Sequence, residues 1–200
     1  SEHVLGEFHQ MNLTSIPRIT GVSSIEEAMD QLRSRHFDLV IMMMGADKSN
    51  PVELSHRVKR EYPYIPVFLL LNNNADLAHI QETEEALADI DKVFIWNGES
   101  SVFFAMIKHV EDLINVENDT EIGMVRVILL VEDSPKYYSR YLPILYQIVL
   151  EQTRRIIEDV STDELYKVLR LRARPKILMA RDYEEAVGFM KRHNDRPFFL

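Results

Sequence analysis

Ser24-Ile25-Glu26-Glu27-Ala28-Met29 is answered 158 positions later by Asp182-Tyr183-Glu184-Glu185-Ala186-Val187. Each stretch follows a short apolar or β-branched run. Each precedes a basic patch, Arg33-Ser34-Arg35-His36 in one case and Lys191-Arg192-His193 in the other. Each then re-enters an apolar run, Phe37–Met44 in the first and Phe198–Leu200 in the second. Ser24 has the chemistry of a helix N-cap, and Glu27 is placed to complete a capping box by returning its carboxylate to the N–H of the cap. A strand–helix–strand unit used twice predicts two copies of one α/β domain. The second copy stops as its next strand begins, so the chain is expected to be a piece of something longer.

Two hundred residues accommodate two small domains, and an apolar share of 46% is enough for each to bury a core. The absence of cysteine excludes disulfides, thiolate metal sites and cysteine nucleophiles. The longest apolar runs, Phe37–Met44 and Val125–Val131, are too short to cross a bilayer. No secretory pattern opens the chain, which starts at Ser1, so a cytoplasmic fragment with no membrane partner is expected. Residues 1–120 carry 9 basic and 20 acidic side chains, a balance of −11, whereas residues 121–200 carry 14 and 12, a balance of +2. An acidic first half repels phosphates, which argues against nucleic acid as a partner. The arginines between Arg154 and Arg181 suit an acidic protein surface or, more plainly, a solvated helix face.

The pattern along the chain alternates. Helical spacing covers 1–12, and 18–22 is strand-like. A helix runs from Ser24 to about Arg35, then a strand buried on both faces from Phe37 to Met44. A helix opens at Pro51 and ends near Glu61. Strand 67–71, loop 72–74, helix 75–88, strand 92–96 and helix 100–116 follow. Such alternation implies parallel strands joined by right-handed crossovers. Residues 119–123 are polar and acidic and end in glycine, which marks a linker between a first domain, 1–118, and the N-terminal part of a second, 124–200. Val125–Val131 is the strongest strand of the chain. An insertion over 135–174 then holds one long amphipathic helix, with Pro143 as a candidate kink, and a shorter helix capped by Ser161 or Thr162.

Val127-Ile128-Leu129-Leu130-Val131-Glu132-Asp133-Ser134-Pro135 delivers two adjacent carboxylates to the carboxyl end of a hydrophobic strand, the edge where ligands bind in open α/β sheets. Hard paired oxygens there suit Mg²⁺. The plainer alternative has Asp133 capping its helix and Glu132 solvated. With the β/α alternation, this segment resembles the first strand of response-regulator receiver (CheY-like) domains. The resemblance implies a flavodoxin-like, doubly wound parallel sheet, and an acidic pair that helps hold Mg²⁺ beside a phospho-accepting aspartate on the third strand. In the second unit that aspartate would lie past residue 200. Glu132 and Asp133 are therefore half a metal site, and no cofactor is expected within the fragment itself.

The first half resembles the same family with its chemistry removed. Phe37-Asp38-Leu39-Val40-Ile41 is similar to the third strand, and Met43 stands where the acceptor aspartate belongs. Pro66-Val67-Phe68-Leu69-Leu70 is similar to the fourth, with Leu71 in place of the switch hydroxyl. Asp91-Lys92-Val93-Phe94-Ile95 is similar to the fifth, with Trp96 and Asn97 in place of lysine and proline. A thioether, an alkyl chain and an indole do not transfer or hold a phosphoryl group. The resemblance thus implies a degenerate receiver lacking its first strand, with no catalytic residue.

Remaining chemistry is sparse. His36, His56, His79, His109 and His193 lack ligand spacing, and no phosphate-cradling glycine loop occurs. The methionine run is expected to fill core, and Asn72–Asn74 to form a turn. A helix of roughly 25 residues reaches about 37 Å and overhangs a small domain. Tyr137, Tyr138, Tyr141, Tyr146, Arg154 and Arg155 on it are therefore candidate interface residues, against a reading in which the helix folds back on its own domain. Since the first domain lacks its central strand, Val125–Val131 is a candidate to fill that slot within the chain or by exchange between chains. The expected function is a non-catalytic regulatory or scaffolding module of a larger bacterial chain. It would contact that chain's other domains and form a homodimer through the long helix or by strand exchange. The alternative is a working phosphoacceptor in the second unit. The insertion also resembles the region preceding pyruvate phosphate dikinase or phosphoenolpyruvate synthase domains, which implies a phosphotransfer enzyme as parent.

Overall fold

The protein is described by a computed structural model covering residues 17–44, 50–81, 87–123, 125–160, 174–192 and 198–199. The expected helix over 1–12, the short helix after Thr162 and the loop following Met44 lie outside these residues. The architecture is α/β, with parallel strands in two three-stranded sheets. The described residues divide into two compact units, Pro17–Glu99 and a second that begins at Ser100.

The first unit runs α1 (Ile25–Ser34), β1 (Val40–Met43), α2 (Asn50–Glu61), β2 (Val67–Leu71), α3 (Asn74–Gln81) and β3 (Lys92–Ile95). Its strands lie in the order β1-β2-β3. The central strand β2 is buried along its whole length, as Val-Phe-Leu-Leu-Leu demands of a strand covered on both faces. Val67, Leu69 and Leu71 pack with Met29 and Leu32 of α1, Met42 and Met44, Val58 of α2 and Val93 of β3. Phe68 and Phe94 meet on the opposite face, ring centroids 5.5 Å apart. β1 is shorter and less buried than its apolar run suggests. Its ladder begins only where the Val40 N–H reaches the Pro66 carbonyl, and Asp38 instead faces water beside His36. Residues 18–22, read as strand-like, carry no strand.

The second unit contains α4 (Ser101–Gly123), β4 (Val127–Val131), α5 (Pro135–Val160), β5 (Lys176–Ala180), α6 (Tyr183–Arg192) and β6 (Phe198–Phe199). Its strands lie in the order β5-β4-β6. The residues expected as a linker, 119–123, are the last turns of α4. That helix packs on α5 and β5, so residues 100–118 belong with the second unit and the division falls between Glu99 and Ser100. The cause is its buried stripe: Val116 joins Val127 and Leu178 in one cluster, and Thr120 is buried one turn on. Within the chain β4 pairs with β5 and β6, so it does not fill a slot in the first sheet.

The internal repeat is visible in the backbone. α6 occupies the span of α1 displaced by 158 positions at both ends, and β6 begins the same 158 positions after β1. Ser24 Oγ accepts from the Glu27 N–H at 3.2 Å, and Asp182 Oδ1 from the Glu185 N–H at 2.8 Å. The returning carboxylate overshoots the cap in both copies. Glu27 accepts from the Ser23 N–H at 3.0 Å, and Glu185 from the Arg181 N–H at 2.7 Å, one residue before the position that a capping box uses. Ala28 and Ala186 are buried at the equivalent place beneath each helix.

Candidate functional site: the carboxyl edges of the two sheets

Parallel strands end together, so each sheet presents one edge built from carboxyl termini. In the first unit Met43 is registered against Leu70, and Leu71 against Ile95. The Trp96 N–H donates to the Leu71 carbonyl at 2.8 Å. Met43, Leu71 and Trp96 therefore lie side by side along one edge. Leu71 is fully buried, Met43 is half exposed, and the partly exposed Trp96 donates its indole N–H to the Glu99 carbonyl at 3.2 Å. The strand ends at Met43 and Met44 follows it, without an acid among the described residues of that terminus; Asp47 lies outside them. The next loops are locally committed. Asn73 Oδ1 accepts from the Ala75 and Asp76 N–H groups and so caps α3, and Asn97 Oδ1 accepts from the Glu99 N–H across Gly98, whose φ of 91° suits glycine. The described side chains along this edge, Met43, Leu71 and Trp96, are all apolar or aromatic.

At the corresponding edge of the second unit, Glu132 and Asp133 follow β4, the central strand. The Glu132 N–H donates to the Ala180 carbonyl at 2.9 Å, and its Oε1 accepts from the Ser134 N–H at 3.0 Å. Asp133 is exposed. The residue that caps α5 is Ser134, whose carbonyl accepts from the Tyr137 and Tyr138 N–H groups. Mg²⁺ is commonly held through one or two carboxylates with waters completing its shell. The free Glu132 oxygen and the open Asp133 carboxylate fit that role as two ligands. Among the described residues no third acid or histidine joins them into a metal-binding group.

The candidate interface residues separate into two sets. Tyr137 and Tyr141 are exposed and stacked, centroids 6.2 Å apart and planes 12° from parallel. Arg154 and Arg155 are exposed and both pair with Glu151, at 3.1 and 3.0 Å. Tyr138 and Tyr146 are buried inside their own unit, which removes them from any outer surface. The helical period explains it: residues 138, 142, 146 and 149 share the inward face of α5, while 137, 141, 144 and 148 share the outward one. The long helix thus does fold back on its unit along one face.

Sequence reasoning missed a dense buried polar cluster among the described residues. Asp112 of α4 is fully buried and accepts from Arg174 Nη2 at 2.7 Å, Arg174 Nη1 at 3.1 Å, the Ile177 N–H at 2.8 Å and the Tyr146 hydroxyl at 3.1 Å. Lys176 adds its charge by pairing with Asp119 at 2.6 Å, and the Arg174 guanidinium lies 5.6 Å from the centre of the Tyr146 ring. Burial, then the negative charge of Asp112, push the Tyr146 phenol well above its ordinary value. Burial opposes the Arg174 charge, but the charge and hydrogen bonds of Asp112 outweigh it and hold the guanidinium above its usual range. Burial lowers Lys108, with Glu111 at 2.6 Å pulling the other way. Perturbed groups often mark active sites, yet this cluster surrounds the amino end of β5, the edge opposite to ligand binding. It ties α4 and α5 to the sheet. A signal was present: Asp112 falls on the same stripe as Ala105, His109 and Val116, where a carboxylate requires a partner.

Comparison with models of protein families and with curated proteins found no match to this chain.

Proposed function

We propose that the chain is a pair of receiver-like α/β units acting as a non-catalytic regulatory or scaffolding module in a larger, cytoplasmic bacterial signalling or phosphotransfer chain. The flavodoxin-like sheet order is 2-1-3-4-5. The second unit's β5-β4-β6 agrees with its 2-1-3 portion, and the first unit's β1-β2-β3 with its 3-4-5 portion. The observation that carries the inert reading is the apolar edge of Met43, Leu71 and Trp96, where phosphoryl transfer needs a carboxylate, a hydroxyl and a cation. Such a unit works by presenting surfaces to neighbouring domains.

The test is exposure of the protein to a small phosphoryl donor, acetyl phosphate with Mg²⁺, followed by intact-mass measurement. The chain is expected to stay unmodified. A base-labile phosphoryl adduct mapped to residues 17–99 would overturn the proposal. A second reading, a phosphoacceptor in the second unit, is favoured by Glu132 and Asp133 at the end of the central strand. It predicts labelling only when residues following β6 supply an aspartate, and a longer chain carried through the same experiment separates the two.

A further inference from the structure

The outward face of α5 carries Tyr137, Tyr141, Ile144 and Ile148, each 45 to 53% exposed. The same line continues through Glu151 and Arg155. Their spacing alternates between four and three residues, the period with which one helix packs along another in a coiled coil. Four large apolar side chains in one uninterrupted row are more than the scattered surface leucine or isoleucine that needs no explanation.

We propose that this row is a self-association seam, on which the α5 helix of a second copy packs antiparallel about a two-fold axis near residue 146. The proposal deepens the reading of the chain as a contact module and supplies the surface that reading requires. The occupant is argued from charge. The amino-terminal end of the row offers two aromatic faces with phenol hydroxyls, and Lys136 already lies 5.6 Å from the centre of the Tyr137 ring. Its carboxyl-terminal end offers an acceptor, Glu151, and a cation, Arg155. Antiparallel pairing sets Ile144 against Ile148 of the second copy, Tyr141 against its Glu151 and Tyr137 against its Arg155. A guanidinium then faces an aromatic ring and a phenol faces a carboxylate. Parallel pairing instead sets Glu151 on Glu151 and Arg155 on Arg155, which like-charge repulsion opposes. Along the flank Arg140 approaches Arg154 of the second copy, whose charge is offset by Glu151 at 3.1 Å. Each copy presents the same patch to the other, the requirement for a closed dimer. The small apolar area makes the dimer weak and reversible.

Sedimentation of the full chain over a wide concentration range tests this. A monomer–dimer equilibrium is expected, and Ile144→Glu with Ile148→Glu is expected to weaken it at least tenfold. Both side chains already face water, so an unchanged thermal melt will verify that the fold survives. The absence of native cysteine makes register readable. Mixed under mild oxidation, Tyr137→Cys and Arg155→Cys chains are expected to cross-link to each other in preference to themselves. Preferential self-linking of Tyr137→Cys chains, a dimer indifferent to the double substitution, or a chain that stays monomeric at its solubility limit would each overturn the proposal. None of these outcomes bears on the phosphoryl-labelling result, so the seam and the inert edge stand or fall separately.

Discussion

Asp112 is the residue on which the second unit turns. Removing one partner of a buried ion pair costs about 3–5 kcal/mol, because the surviving charge stays buried without compensation. Asp112→Ala, which leaves Arg174 only the more distant carboxylate of Glu111 at 3.8 Å, is expected to lower unfolding free energy by that order in a urea titration. Replacing both members together, with Asp112→Leu and Arg174→Met, is expected to cost less than the single change; a loss equal to the two single losses summed would argue against direct pairing. Tyr146→Phe removes one of four hydrogen bonds to the carboxylate and is expected to cost only about 1 kcal/mol. The same phenol sets an alkaline limit. Its folded pKa is raised above the ordinary value of 10.0, so its contribution is complete below that pH and is lost as pH rises through the folded value. Tyr146 is therefore expected to ionise only as the protein unfolds, which tyrosinate absorbance followed beside circular dichroism will detect.

At the scale of elements, α1 and α6 are the same helix used twice, down to the bond from the third-residue carboxylate to the N–H before the cap. Ser24→Ala and Asp182→Ala are each expected to destabilise by about 1 kcal/mol, the usual value of an N-cap side chain, measured by thermal unfolding. Helix α5 was legible as one long amphipathic element because its apolar residues keep the 3.6 period across Pro143. Which tyrosine faced which way was not assigned, although the period separates 137 and 141 from 138 and 146. The boundary near residue 119 misled for a different reason. A polar, acidic stretch ending in glycine reads as a loop by composition, yet α4 carries it because Val116 and Thr120 continue the buried stripe begun upstream. Local propensity lost to tertiary packing.

For the molecule as a whole, a net charge of −9 opposes a phosphate backbone, and retention on immobilised DNA at physiological salt is expected to be nil. No described helix is long and apolar enough to cross a membrane. The strands of the first unit end at Met43, Leu71 and Ile95, within one residue of the ends expected from their apolar runs, whereas the choice of Met43, Leu71 and Trp96 as positions of interest came from the resemblance to receiver strands. Alternating apolar runs and capped helices were enough, by themselves, to determine parallel α/β units and the repeat, because those signals are local and set by the chain's own periodicity. Only tertiary structure decided that β4 sits between β5 and β6, that α4 belongs with the second unit, and that Asp112 meets Arg174 across 62 positions of chain. Those outcomes depend on which distant surfaces exclude water together, and no pattern of neighbouring residues encodes that pairing.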